Sequence, residues 1–170
     1  MNLSDSALIS QIGTNQSNLR KGPMRLSNLA DYAVVIMCAA SRHCGTAALV
    51  GADNKRRGRV SAGELAAETG LPAPTVQKVV SKLTGAGLLR SVRGAGGGLQ
   101  LARPAAAISV ADIVEAVEGP IALTACIEGP DCAMDHNCSV KPHWPKINDA
   151  LRGALADISL TSLTRIEEIA

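Results

Sequence analysis

Between residues 61 and 83 the chain reads SAGELAAETGLPAPTVQKVVSKL, a stretch that leaves little choice of local structure. Ser61 followed by Glu64 forms a capping box: the hydroxyl accepts from the N3 amide while the carboxylate reaches back to the cap amide. The helix opened this way meets Gly70, a residue suited to the left-handed position just past a helix end. Pro74 then falls in the first turn of a second helix, where a missing N–H leaves no partner wanting. Val76, Val79, Val80 and Leu83 recur at i, i+3, i+4 and i+7 and mark its buried stripe. Two helices joined by LPAP make a helix-turn-helix. The outer face of the second, with Thr75, Gln77, Lys78, Ser81 and Lys82, is polar, basic and free of acids, which suits the edges of bases in a major groove.

The flanking sequence extends this unit. From Ser27, a plausible N-cap, Leu29, Tyr32, Ala33, Ile36, Met37 and Ala40 give a first helix to about Ser41. A connection over 43–59 has a basic tip of Lys55, Arg56, Arg57 and Arg59. After the second helix, LLRSVRGAGGGLQLARP reads as two short strands around a glycine-rich turn containing Gly96 and Gly97. Those glycines lack the GK[ST] ending and the βαβ setting of a nucleotide loop. A β-wing bringing Arg93 to DNA fits better. Ser109 then caps a short helix with Val110, Ile113, Val114 and Val117 on its inner face, and Trp144, Ile147, Leu151, Leu155 and Ile158 trace a last long helix to about Ser159. A helix with such a stripe at the end of a small domain needs a cover, and a second copy of the chain supplies one while matching palindromic DNA half-sites.

Composition narrows the classes. Of 170 residues 46% are apolar, yet there is no Phe, one Trp and one Tyr. The core must therefore be aliphatic, which favours closely packed helices and counts against modules that stack single-stranded bases on aromatic side chains. Between Leu71 and Arg103 stand Lys78, Lys82, Arg90, Arg93 and Arg103 with no acid; between Pro104 and Cys138 stand Asp112, Glu115, Glu118, Glu128, Asp131 and Asp135 with no Lys or Arg. The net charge of +2 thus hides a basic half suited to a polyanion. No apolar run approaches the length of about 20 residues that spans a membrane, and the start MNLSDSALISQIG lacks the form of a signal peptide, so a cytoplasmic protein is expected. Nucleophile–base sets, paired carboxylates and nucleotide loops do not stand out. An enzyme is not expected, nor a small-molecule substrate.

CIEGPDCAMDHNC, residues 126–138, spaces three of the five cysteines with five residues between successive thiols. In a reducing compartment such clusters serve metal binding or redox sensing more often than structural disulfides. Structural zinc usually takes CxxC pairs, which are absent. Longer flexible spacing suits an iron–sulfur cluster, whose irons want four protein ligands. A cluster-free thiol switch and a zinc-stabilised dimeric interaction module stay open as alternatives. Cys38 reads as a small core residue.

MRLSNLADYAVVIM at 24–37, the helix-turn-helix, SVRGAGGGLQLARPAAAIS at 91–109, VADIVEAVEGP at 110–120 and the three-cysteine loop with Trp144 six residues after its last Cys together resemble the IscR-like winged-helix iron–sulfur regulators. The details LTAC and CSVKPHW resemble the subgroup controlling SUF cluster-assembly genes. The likeness runs from about Met24 to Leu160. It implies a mainly α fold with a small β-wing: a flexible extension over 1–23, a winged helix-turn-helix over 24–108, a short helix and cysteine loop over 109–141, a dimerisation helix over 142–160 and a tail over 161–170. It further implies a homodimer on double-stranded operator DNA, with a [2Fe-2S] or [4Fe-4S] cluster on Cys126, Cys132 and Cys138 whose occupancy alters operator affinity.

By the same resemblance Gln77 and Lys78 contact bases and Arg93 enters the minor groove; Thr75, the phosphate-directed Lys82, Gly96 and Gly97 are further expected on the DNA surface. Many relatives place a His ligand three residues after the third Cys, where this chain has Lys141; a protonated amine has no lone pair to offer. His136, His143 and Asp31 are the candidates for the fourth ligand. Asp31 matches an aspartate that some nitric-oxide-sensing relatives donate from the first helix of the partner subunit.

Overall fold

The computed structural model describes residues 26–44, 58–94, 97–128 and 137–165. Helix α1, Asn28–Cys44, is the central element. Its first turn is held by the Ser27 hydroxyl, which accepts from the amides of Leu29 and Ala30 at 3.1 and 3.2 Å. Ala33, Ile36, Met37 and Ala40 are fully buried along one side, as the apolar spacing predicts, and the helix continues one turn past Ser41.

Helices α2, Ala62–Thr69, and α3, Ala73–Gly85, form the helix-turn-helix against α1. Both bonds of the Ser61–Glu64 capping box are present, and Gly70 takes φ 69, a backbone that a Cβ would disfavour. Ser61→Ala is expected to lower stability by about 1 kcal/mol, the usual worth of such a cap, measured as a shift in the urea midpoint with unchanged slope.

Strands β1, Leu89–Val92, and β2, Gly98–Leu101, pair antiparallel with Leu89 opposite Leu101 and Val92 opposite Gly98. Val60 adds a one-residue third strand, exchanging backbone hydrogen bonds with Leu99 at 3.1 and 2.7 Å. The wing is thereby tied to the entry of α2. A 3-10 turn at Ala105–Ala107 leads to α4, Val110–Glu118, whose N-cap Ser109 forms a second capping box with Asp112. Helix α5, Ala125–Glu128, is a single turn; α6 spans Trp144–Ala156 and α7 Leu160–Thr164.

The carboxy-terminal region departs from the expected single helix. Helix α6 ends at Ala156, and Ser109 and Ser159 form an antiparallel bridge in which Val110 N–H donates to the Ile158 carbonyl (2.9 Å) and Leu160 N–H to that of Ile108 (2.8 Å). Ser159 then caps α7, accepting from the Ser162 amide. Those bonds, with the complete burial of Leu160, outweigh continued helix through a stretch rich in Ser and Thr. Residues 160–164 form a short helix against α1, anchored by the buried Leu160. One hydrophobic core joins Ile36, Leu65, Val79 and Leu83 with Ile108, Ile113 and Leu160, so the described residues of 24–108 and of 109–160 share a single interior. Among the described residues no helix is long and apolar enough to cross a membrane. The expected extension over 1–23, the basic tip at Lys55, Arg56 and Arg57, and Gly96 lie outside the described residues.

Candidate functional site

Burial of Val76, Val79, Val80 and Leu83 turns the rest of α3 outward. Gln77 and Lys78 are exposed and Thr75 half-buried. Between α3 and the wing lies a cleft of about 550 Å³, with Val80 and Leu99 at its floor and Gln77, Ser81, Ser91 and Gly98 around it. Arg90 and Arg93 are exposed on the wing. Lys78, Arg90 and Arg93 have no acidic partner among the described residues, so their charge is available to a polyanion. Arg103 instead stands 3.7 Å from Asp112.

Lys82 differs from Lys78 in being tied to a neighbouring helix. Its ammonium donates to the Val117 carbonyl at 2.7 Å, at the carbonyl end of α4, where a cation is favoured by the helix dipole and an otherwise orphaned acceptor. Lys82 thus joins α3 to α4.

Gly97 is fixed by close approach. A Cβ there would lie 2.4 Å from the Val92 carbonyl oxygen and 3.0 Å from that of Gly94, and its N–H donates to the Gly94 carbonyl at 2.7 Å. The turn closes only around glycine.

At the opposite end of α4 from its cap, the chain passes Gly119 and enters the cysteine segment. Cys126 is half-buried in α5, with the Thr124 hydroxyl 3.1 Å from its sulfur. Cys138 is half-buried just before the 3-10 turn Lys141–His143, and its carbonyl accepts from Lys141 N–H at 3.3 Å. Both are free thiols. Cys132 and His136 lie outside the described residues. Asp31, in the first turn of α1, and His143 are exposed. Among the described residues no three His, Cys, Asp or Glu side chains gather at metal-binding distance, so one subunit's described residues do not bring Asp31 or His143 to Cys126 and Cys138 as a set. Cys38 and Cys44 are also free; burial pushes both thiols above their ordinary pKa, which suits inert, protonated side chains.

One residue of this region escapes apolar periodicity. Asn148, on α6, is only 5% exposed; its side-chain amide donates to the Ile121 carbonyl at 2.8 Å, and its oxygen accepts from Leu123 N–H at 3.0 Å. Beside it Arg152 makes a bidentate pair with Glu115 on α4, at 2.8 and 2.9 Å, which holds that carboxyl below its ordinary pKa. The only sequence signal for Asn148 is an amide next to the expected stripe. Ile147 of that stripe is 44% exposed and Ile158 40%, leaving apolar surface on α6 and just beyond its end.

The sequence profile of the Rrf2 family, described as "Iron-dependent Transcriptional regulator", matches residues 26–166. The HTH-type transcriptional regulator IscR of Escherichia coli is 30% identical over 146 residues, 86% of this chain and 83% of the relative. Among solved structures, the global cysteine regulator CymR of B. subtilis superposes with a TM-score of 0.62 at 27% identity, covering 84% of this chain and 97% of CymR. IscR of T. potens gives 0.60 at 27% identity, over 86% and 93%.

Proposed function

The chain belongs to the Rrf2 family of iron-dependent transcriptional regulators, and from that premise we propose that it is a cytoplasmic homodimer that binds operator DNA, senses iron–sulfur or redox status through a cluster on Cys126, Cys132 and Cys138, and controls SUF cluster-assembly genes. The observation that carries the cluster is the state of the two described ligands. Cys126 and Cys138 are free, half-buried thiols at the two ends of a segment that contains no Lys or Arg, and a hydroxyl reaches the Cys126 sulfur. That donor set fits a thiolate-held cluster, whose properties are tuned by hydrogen bonds to sulfur and by exposure. When bound, the cluster supplies an oxidisable group whose presence depends on cellular iron and oxidant. Asp31 from the partner subunit is the proposed fourth ligand.

On DNA, Gln77 and Lys78 read bases in the major groove, with Thr75 beside them, while Arg93 and the turn of Gly96 and Gly97 engage the adjacent backbone and minor groove. Phosphate contacts dominate affinity and make it fall steeply with salt. The exposed Ile147 and the half-buried Trp144 on α6 form the core of the dimer interface.

A thiol-based regulator without a cluster is the second reading, favoured by the free thiols themselves and by the likeness to a cysteine regulator. The spectrum of protein purified without oxygen, with iron and sulfide analysis, separates the two. Brown protein with iron and sulfide in comparable amounts is expected. Colourless protein that resists reconstitution and shifts in mass after oxidant would overturn the cluster and leave the thiol switch.

A further inference from the structure

We propose that Asn148 is a positioning residue that locks the first cysteine-bearing turn onto α6, so that the state of the cysteine site registers in the helix assigned to dimerisation; the regulatory half of this statement rests on the function proposed above.

The case begins with what Asn148 holds. Residues 121–124 form neither helix nor strand, so their backbone groups must find partners elsewhere. Asn148 satisfies two of them, the Ile121 carbonyl and the Leu123 amide, on either side of Ala122. A side-chain amide is suited to this task because it offers a donor and an acceptor from one planar group. It therefore fixes the path of the main chain rather than a neighbouring side chain. One residue beyond Leu123, the Thr124 hydroxyl meets the Cys126 sulfur at 3.1 Å, and α5 begins at Ala125. Displacing Leu123 must displace that turn.

The other end of the segment is anchored to α4. Ile121 N–H lies 3.5 Å from the Glu115 carboxylate that Arg152 of α6 clamps, and Lys82 of α3 bonds the Val117 carbonyl. Helix α6, the approach to Cys126 and the recognition-type helix α3 are thus joined by short polar links around the end of α4. A buried polar group that both donates and accepts a hydrogen bond has few alternative arrangements. Leucine at 148 would have kept an apolar helix face but left the Ile121 and Leu123 backbone groups without these partners. Coupling between two sites is reciprocal: if cysteine chemistry moves α6 through this link, holding α6 in its DNA-bound geometry must protect Cys126.

The test uses the full chain with Asn148→Leu, Asn148→Asp and, as a control destabilised elsewhere, Leu160→Ala. Alkylation of Cys126 and Cys138 by iodoacetamide is followed by peptide mass spectrometry, both in protein as purified and after chelator and reductant, below each variant's melting transition. In Asn148→Leu, Cys126 is expected to react about tenfold faster than in the unaltered chain, the scale of a local opening made easier by one lost anchor, with Cys138 within about a factor of two. Asn148→Asp keeps the acceptor for Leu123 and should fall between. Leu160→Ala should leave the Cys126-to-Cys138 ratio unchanged. An unchanged ratio in Asn148→Leu, or the same change in Leu160→Ala, would overturn the proposal. Because the chelated protein is read directly, these outcomes stand whether or not the unaltered chain assembles a cluster; failure to assemble one sinks the cofactor reading alone.

Discussion

Gly97→Ala is expected to weaken binding to operator DNA by about a hundredfold, close to 2.7 kcal/mol, while the helical core stays folded. The expectation starts from sterics. A methyl group at this position would stand 2.4 Å from the Val92 oxygen, far inside contact distance, and both nearby obstacles are backbone carbonyls that cannot swing aside as a side chain would. The turn must open. Val92 pairs with Gly98 at the very end of the wing ladder, so the first casualty is the end of the hairpin that presents Arg93. In the proposed dimer each subunit presents one wing, and losing a wing contact twice multiplies the effect. The core is spared because Val60 and Leu99 still exchange their two bonds and Leu89 stays buried. The measurement is fluorescence anisotropy with a duplex selected from a random pool by the unaltered protein, at fixed salt, beside a urea melt of each form. A normal affinity with a distorted wing would remove the wing from the DNA interface; a lost affinity with a collapsed melt would make Gly97 a folding residue only.

Which parts of this molecule announce themselves in sequence follows from the range of the interaction concerned. Ser61, Glu64, Ser109 and Gly70 do their work within four residues, so their roles can be read locally. The Val76–Leu83 stripe needs only a helix period. By contrast, the break after Ala156 is decided by strand-like bonds to Ile108 and Val110, about fifty residues away in the chain, and no local pattern separates it from a helix that simply continues. Lys82 looks like its neighbour Lys78 on the outer face of α3, yet the end of α4 passes close enough to take its ammonium. Asn148 is the sharpest case. Periodicity ranks residues by apolarity, and the most buried side chain of α6 is polar because what it meets is bare backbone. The three cysteines are visible by spacing alone, whereas the proposed fourth ligand, supplied by a partner subunit, would leave no spacing to read.

Cys126→Ala, Cys132→Ala and Cys138→Ala are each expected to abolish visible absorbance after anaerobic reconstitution, to about a tenth of the unaltered protein or less, whereas Cys38→Ala and Cys44→Ala retain it. The contrast follows from environment. Cys38 packs against the core on α1 and Cys44 stands half-buried at the end of that helix, with thiols whose pKa burial raises, and the thiolate is the form that binds metal. Cys126 stands on the single turn α5 and Cys138 just before the 3-10 turn Lys141–His143, with a run of sequence between them long enough to wrap a cluster. Asp31→Ala should then shorten the lifetime of the cluster in air by about tenfold, and His143→Ala by less than about twofold, because a single oxygen ligand contributes a weak fourth bond whose loss exposes one iron. Decay of the visible band under a fixed oxygen concentration reads both variants on one scale. Equal lifetimes for the two would remove Asp31 from the site. A lifetime shortened only in His143→Ala would place the fourth ligand within the same subunit, and with it would go the direct link between cluster loss and the position of the partner's first helix.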